Sequence, residues 1–300
     1  MEIIKFFVDT PTAFIIALSI AGLMVGSFLN VVIYRYPTML YREWCLLAKE
    51  ILLEKGFQVS GAPNDKRLRD LKYGIVTPRS KCPHCNHLIR AWENIPVISY
   101  IVQKGRCSQC SKKISLRYPF IEIITGVAFT YIAFRFGVSW QTLIYLCVTA
   151  LLIIQTFIDI DHKILPDPLN YFLLWLGLVS ASLNLTIDLH ESIYGALGGY
   201  LSLWIFYWIF KLITGKEGMG HGDFKLLAAL GAFVGYKQLL MVIIMSAGVG
   251  AILGITMMLL KFSDRDTQIP FGPYLAIAGW ITIFWGNDII KNYFSAMGVQ

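Results

Sequence analysis

The sequence falls into apolar blocks of nearly twenty residues separated by short polar turns, and this spacing limits what the chain can become more than any single motif does. A helix needs about 20 apolar residues to cross the hydrocarbon of a bilayer. Within lipid only helices or closed barrels satisfy every backbone N–H and C=O, and runs of this length suit helices. The blocks are Thr12 to Tyr34, Tyr118 to Phe136, Ser139 to Ile158, Pro168 to Thr186, Ser192 to Ile213, Phe224 to Gly235, Gln238 to Leu260 and Phe271 to Ile289. They predict an all-α polytopic membrane protein with about eight transmembrane helices, the sixth unusually short. Composition agrees, since 56% of residues are hydrophobic and only 15% are charged. The first block is too long for a cleaved secretory signal, and its upstream flank (Glu2, Lys5, Asp9) has almost no net positive charge.

Charge then orients the helices. The polar stretch Arg35 to Arg117 holds sixteen Lys and Arg against six Asp and Glu, a net of +10 where the whole chain has +7. Basic loops stay on the cytoplasmic side, which puts this stretch inside and the N-terminus outside. Alternate threading brings Lys163, Lys211, Lys216, Lys261 and Arg265 inside as well. The basicity is therefore a topology signal. Nucleic acid is not expected as a partner, because the aromatics lie in the spans and do not interleave with the charges. Inside the stretch, Trp44, Leu47, Ala48, Ile51 and Leu52 recur at helical spacing and Gly56 follows, predicting an amphipathic helix over 41–55.

Two clusters of residues carry chemistry. Cys82-Pro-His-Cys85 and Cys107-Ser-Gln-Cys110 are paired C-x-x-C knuckles that can give four thiolates to one tetrahedral zinc ion. A reducing compartment disfavours disulfides there. A redox pair or an iron site is the other reading. Cys45 and Cys147 fall outside the pattern, and His84 and His87 read as surface groups. The second cluster is acidic. Asp159 and Asp161 end the third block, Asp167 precedes Pro168 and reads as an N-cap, and Asp223 closes Gly218-Met-Gly-His-Gly-Asp223. On a helix Asp159 and Asp161 diverge by about 200°, so they cannot face one partner. Asp159 and Asp223 both fall at cytoplasmic ends of spans, and Gly220 and Gly222 allow the backbone close to a bound peptide. Two such carboxylates sharing a proton can activate a water and protonate a scissile carbonyl. Asp223 alone is equally well read as a cap. The small residues Gly195, Gly198, Gly199, Ser246, Gly250 and Gly254 read as helix contacts.

The ordered series Gly26-Ser-Phe-Leu-Asn-Val-Val-Ile-Tyr-Arg35, both knuckles, Trp92-Glu-Asn-Ile-Pro96, Arg117-Tyr-Pro-Phe-Ile-Glu122, Asp159-Ile-Asp161, Leu165-Pro-Asp167 and Gly220-His-Gly-Asp223 resembles the type IV prepilin peptidases, membrane aspartyl proteases with a GxGD motif. The resemblance implies catalytic aspartates at Asp159 and Asp223 and zinc on Cys82, Cys85, Cys107 and Cys110. It also implies two activities, removal of a basic leader from prepilins or pseudopilins at a Gly–Phe bond and methylation of the new N-terminus by S-adenosylmethionine. Inner-membrane localisation follows from the same resemblance, with a first helix over 12–34, a cytoplasmic domain over 35–117 and a protease bundle over 118–290. No glycine-rich strand-to-helix turn suggests residues that bind the methyl donor. Met39 to Val76 looks long for the family. Readings from other classes are a proton-coupled transporter, since intramembrane aspartates form proton relays, and a non-catalytic scaffold of a pilus or secretion system.

The charge asymmetry makes a direct prediction. A topology reporter fused after Asn64 is expected to read as cytoplasmic, and an external reading would overturn the threading.

Overall fold

The computed structural model describes residues 2–57, 73–259 and 270–297, and among these there is no strand, only helices and two isolated β-bridges. Lys261, Arg265, Asn64 and the last residue of the expected seventh span lie outside the described residues. Five helices are long and apolar enough to cross a membrane: Pro11–Glu54, Arg117–Phe136, Trp140–His162, Leu189–Thr214 and His221–Thr256. The chain forms two compact units, Met1–Val138 and Ser139–Gln300.

In the first unit, helix α1 (Glu2–Asp9) leads into α2 (Pro11–Glu54), followed by a 3₁₀ turn (Ala91–Asn94), α3 (Ile98–Val102) and α4 (Arg117–Phe136). Helix α2 joins two elements that the sequence presents as separate. The first apolar block and the amphipathic segment form one 44-residue helix that passes through Pro37. Gly56, at φ +79°, stops it in the left-handed conformation that a side chain disfavours. Gly22 and Gly26 bring α2 onto α4, since a Cβ at Gly26 would stand 2.7 Å from Cα of Glu122.

The second unit contains α5 (Trp140–His162), α6 (Asp167–Ser182), α7 (Leu189–Thr214), α8 (His221–Leu259) and α9 (Gly272–Ala296). Ser139 caps α5 by accepting the Thr142 N–H, and Asp188 caps α7. Helix α8 breaks at Gly235, where φ is +72° and ψ 169°. Its two arms run in opposite directions. In the first arm a Cβ at Gly279 would meet Leu230, and Gly272 lies beside the residues that flank Asp223, so this arm runs parallel to α9. In the second arm Gln238 donates to Asn287, and Gly250 faces Tyr274 and Phe271, so this arm runs antiparallel to α9. The sixth and seventh apolar blocks are thus a helical hairpin turned by one glycine.

In lipid the hydrophobic drive between helices is absent, and close packing of small residues takes its place. Here backbones touch. A Cβ on Gly195 would lie 2.2 Å from the Gly231 carbonyl oxygen, and one on Gly199 would lie 2.5 Å from that of Leu227. Ser192 adds a hydrogen bond to the Ala232 carbonyl at 2.7 Å. These contacts fix the first arm of α8 against α7. Gly195→Ala should therefore destabilise the purified protein by about 1–3 kcal/mol or more through overpacking, while Gly248→Ala, with nothing within 4 Å, should be neutral or mildly stabilising. Thermal unfolding in detergent separates the two outcomes.

Candidate functional site

Asp159 lies in the last turn of α5 and is 5% exposed, and Asp223 lies in the first turn of α8 and is 7% exposed. The two carboxylates interact electrostatically, and among the described residues neither forms an ion pair with Lys, Arg or His. Asp161, two residues on, is exposed, as the 200° divergence requires. The backbone N–H of Gly272 donates to Oδ2 of Asp159 at 3.0 Å. That N–H opens the 25-residue helix α9, whose N-terminal dipole favours negative charge at this point.

Glycines set how closely the elements approach. A Cβ on Gly272 would stand 2.7 Å from Oδ2 of Asp159, and one on Gly222 would stand 2.8 Å from Cβ of Leu165. Leu165 of the Leu165-Pro-Asp167 run therefore fills the space beside Gly222. The absent side chain of Gly222 serves this packing, in place of the approach to a peptide suggested by sequence. Gly220 keeps the open position, with Oδ2 of Asp223 3.6 Å from its missing Cβ. His221 packs tilted against both Tyr207 and Phe224, with ring centroids 5.3 and 5.4 Å away, and anchors the motif to α7.

Asp167 corrects the sequence reading. It is the first residue of α6 and not its cap, which is Pro166, and its carboxylate accepts from Lys225 Nζ at 2.6 Å. Lys225 also lies over the Tyr171 ring. This pair ties the start of α6 to the first turn of α8, two residues past Asp223. Asn170 adds a bond to the Gly222 carbonyl at 3.5 Å. Gln155, one turn before Asp159, is fully buried and neither amide atom has a protein partner. Sequence reading passed over Asn170 and Gly272, whose partners, the Gly222 carbonyl and Asp159, lie 52 and 113 residues away and are met only in the fold; Gln155 was passed over as a single polar residue in an apolar run.

In the first unit the ligand atoms of Cys82, Cys85, Cys107 and Cys110 all lie within 4.8 Å of one another. Sγ of Cys82 is 3.8 Å from that of Cys110, and Sγ of Cys85 is 3.9 Å from that of Cys107. A tetrahedron with metal–sulfur bonds of about 2.3 Å has edges of about 3.8 Å, so the set fits one zinc ion, while a disulfide needs about 2.05 Å. Cys45 and Cys147 are free and outside this cluster. The two knuckles repeat one backbone pattern 25 residues apart. Cys82 N–H donates to His87 O and Ile89 N–H to Ser80 O, and Cys107 N–H donates to Lys112 O and Ile114 N–H to Gly105 O. Bridges Lys81 to Leu88 and Arg106 to Lys113 close both, and Asn86 and Ser111 turn through positive φ. The sequence carries the same repeat, since Lys81, Cys82, Cys85 and Ile89 align with Arg106, Cys107, Cys110 and Ile114.

Glu93 braces the pair of knuckles. Its carboxylate accepts from Arg90 N–H at 2.8 Å, from Ser108 Oγ at 2.6 Å and from His87 Nε2 at 3.0 Å. Ser108 belongs to the second knuckle and His87 follows the first. The Arg90 N–H, the Ser108 hydroxyl and then His87 hold the Glu93 carboxyl down at about 2. His87 is thus a half-buried partner of Glu93, where sequence had it as a surface group. His84 is exposed.

Comparison with known proteins follows the same division. The chain matches a model of the bacterial peptidase A24 N-terminal domain over residues 20–136 and one of the type IV leader peptidase family over residues 145–255. It is 47% identical over 293 residues to a prepilin leader peptidase/N-methyltransferase of Stutzerimonas stutzeri, covering 98% of each chain. A protein of the same name from Pseudomonas aeruginosa is 46% identical over 300 residues, 100% of each chain, and one from Aeromonas hydrophila is 47% identical over 272 residues, 91% of each. End-to-end coverage leaves no room for a long insertion, so Met39 to Val76 is of ordinary length for these relatives. No solved structure matches the chain.

The Glu93 brace predicts metal retention. Groups that orient metal ligands typically contribute 10- to 100-fold to affinity. Glu93→Gln should therefore speed metal loss to a chelator by about tenfold or more, read with a chromogenic zinc indicator, and an unchanged rate would show that the carboxylate does not support the knuckles.

Proposed function

The chain belongs to the type IV leader peptidase family, and we propose that Asp159 and Asp223 are its proteolytic pair, acting on prepilins and pseudopilins at the cytoplasmic face of the inner membrane. The protein is a multi-pass membrane enzyme, a prepilin leader peptidase and N-methyltransferase. One observation carries the assignment of the site: two buried carboxylates without a cation, in contact with each other's field, at the ends of helices fixed by backbone-level packing. A transporter relay leaves the cysteine cluster unused, and a scaffold has no need of uncompensated acids in lipid.

Chemistry follows from proximity. Two neighbouring carboxylates do not both ionise readily, so one proton is shared. The ionised member draws a proton from water as the water attacks the scissile carbonyl, and the protonated member donates to the carbonyl oxygen. The tetrahedral species then collapses, releasing the leader as a carboxylate and the pilin as an amine. The Gly272 N–H holds Asp159 in place throughout.

We assign zinc to Cys82, Cys85, Cys107 and Cys110 as a structural ion. Four thiolates close its coordination and leave no position for a reacting water, so the metal takes no part in hydrolysis. S-adenosylmethionine supplies the methyl group for the second activity.

Because the aspartates act as one unit, Asp159→Asn and Asp223→Asn should each lower prepilin cleavage by about 10³-fold or more, and the double variant should be hardly worse. Asp161→Asn should cleave normally. Asp167→Asn removes a half-exposed ion pair worth about 1 kcal/mol or less and should retain activity with slightly reduced stability. Mass spectrometry of the cleaved pilin reads the activity of all five. Normal cleavage by Asp159→Asn would refute the pair.

A further inference from the structure

The proteolytic pair lies wholly within the second unit, yet the first unit buries a carboxylate of its own inside a membrane-spanning helix. Glu122 of α4 is 8% exposed. Its Oε2 accepts the Val97 N–H at 2.8 Å, and the hydroxyl-bearing Ser27 of α2 is buried too. No Lys, Arg or His among the described residues pairs with it. Arg35, the buried cation of the same unit, spends its guanidinium on the carbonyls of Gly74 and Ile75 and on the Tyr73 ring. Asn30 spends its amide on the carbonyls of Gly26 and Tyr118.

A second feature converges on the same point. Val97 has φ +59° and ψ −48°, a γ-turn conformation closed by the Ile98 N–H on the Pro96 carbonyl, which is strained and which a β-branched side chain strongly disfavours. Strain of this kind persists where the surroundings impose it, and such places concentrate at functional sites. Here it directs an N–H onto Glu122. An ionisable group at membrane depth without a counter-charge is costly, and a cation brought by a ligand is the natural compensation.

We propose that Glu122 binds the α-ammonium group exposed by leader cleavage and takes its proton for methyl transfer. The inference rests on the two-activity reading above. It is consistent with the separate family match over residues 20–136, which covers Glu122 and neither aspartate of the pair. An ammonium has N–H donors for a carboxylate; the methionine moiety of the methyl donor carries one too, and the competition with a deaminated peptide described below separates the two. The step balances as follows. Glu122 accepts one proton, which frees the nitrogen lone pair. The nitrogen attacks the methyl carbon of S-adenosylmethionine, the new C–N bond forms as the C–S bond breaks, and sulfur keeps the electron pair as a neutral thioether. The product is a methylammonium, and Glu122 returns its proton to solvent.

The test uses the full-length, zinc-loaded protein with a pre-cut pilin peptide and S-adenosylmethionine. In Glu122→Gln the side-chain carbonyl can still accept the Val97 N–H, so the tether survives while the charge is lost. Methylation should fall by about 100-fold or more, with metal content and prepilin cleavage close to wild type, and Glu122→Asp should recover part of the rate. Wild-type methylation by Glu122→Gln would overturn the proposal. So would loss of metal, cleavage and methylation together, which marks a tether only. A measurement on the unmodified protein stands beside it. A peptide whose terminal amine is replaced by hydrogen should compete with the pre-cut pilin about tenfold more weakly than a peptide that keeps it, and equal competition would also overturn the proposal. A wild-type protein that cleaves but never methylates would instead refute the two-activity reading itself.

Discussion

Burying two carboxylates that feel each other's charge is the constraint on which the second unit depends. Among the described residues neither Asp159 nor Asp223 pairs with a cation, so their cost must be met by the packing that surrounds them. Three glycines make that packing possible. Gly272 lets α9 point its N-terminal N–H at Asp159, Gly222 admits Leu165 between the helices, and Gly231 lets α8 touch α7 at backbone distance. The Lys225–Asp167 pair sits just outside, where solvent screens it, and ties the two helix ends without neutralising the acids within.

The first unit solves a different problem with similar economy. A polar segment between α2 and α4 has too little apolar surface for a core, and two knuckles joined through four thiolates replace it. Glu93 links those knuckles through Ser108 and His87, and the segment that follows returns to the bundle through Val97 and Glu122. The run Trp92-Glu-Asn-Ile-Pro96 is therefore a link of hydrogen bonds between the four-cysteine module and α4.

Much of this was legible in the sequence. Period and length placed the helices, because a run of some twenty apolar residues has few alternatives, and the blocks recur as helices or helix arms among the described residues, the first running on to Glu54 and the last to Ala296. The aspartate pair and the four cysteines were visible as residue types in a revealing order, and the fold brings each set together. Three things were not. The union of the first span with the amphipathic helix depends on how the helix accommodates Pro37, which local propensity argues against. Asp167 looked like a cap because Pro168 marks a helix start, but its true partner is 58 residues away. Glu93 and Glu122 stood in the quoted motif runs without a role, since the groups that hold them, backbone N–H donors and, for Glu93, Ser108 and His87, converge only in the fold.

The central claim is that Asp159 and Asp223 activate water and do not themselves attack the substrate. A single turnover with enzyme in excess, run in water enriched in oxygen-18, tests it most directly. Direct attack by water places one heavy oxygen in the new carboxylate of the released leader in that first turnover. A leader that leaves the first turnover unlabelled, with the heavy oxygen retained on Asp159 or Asp223, would show a covalent acyl-enzyme and contradict the account.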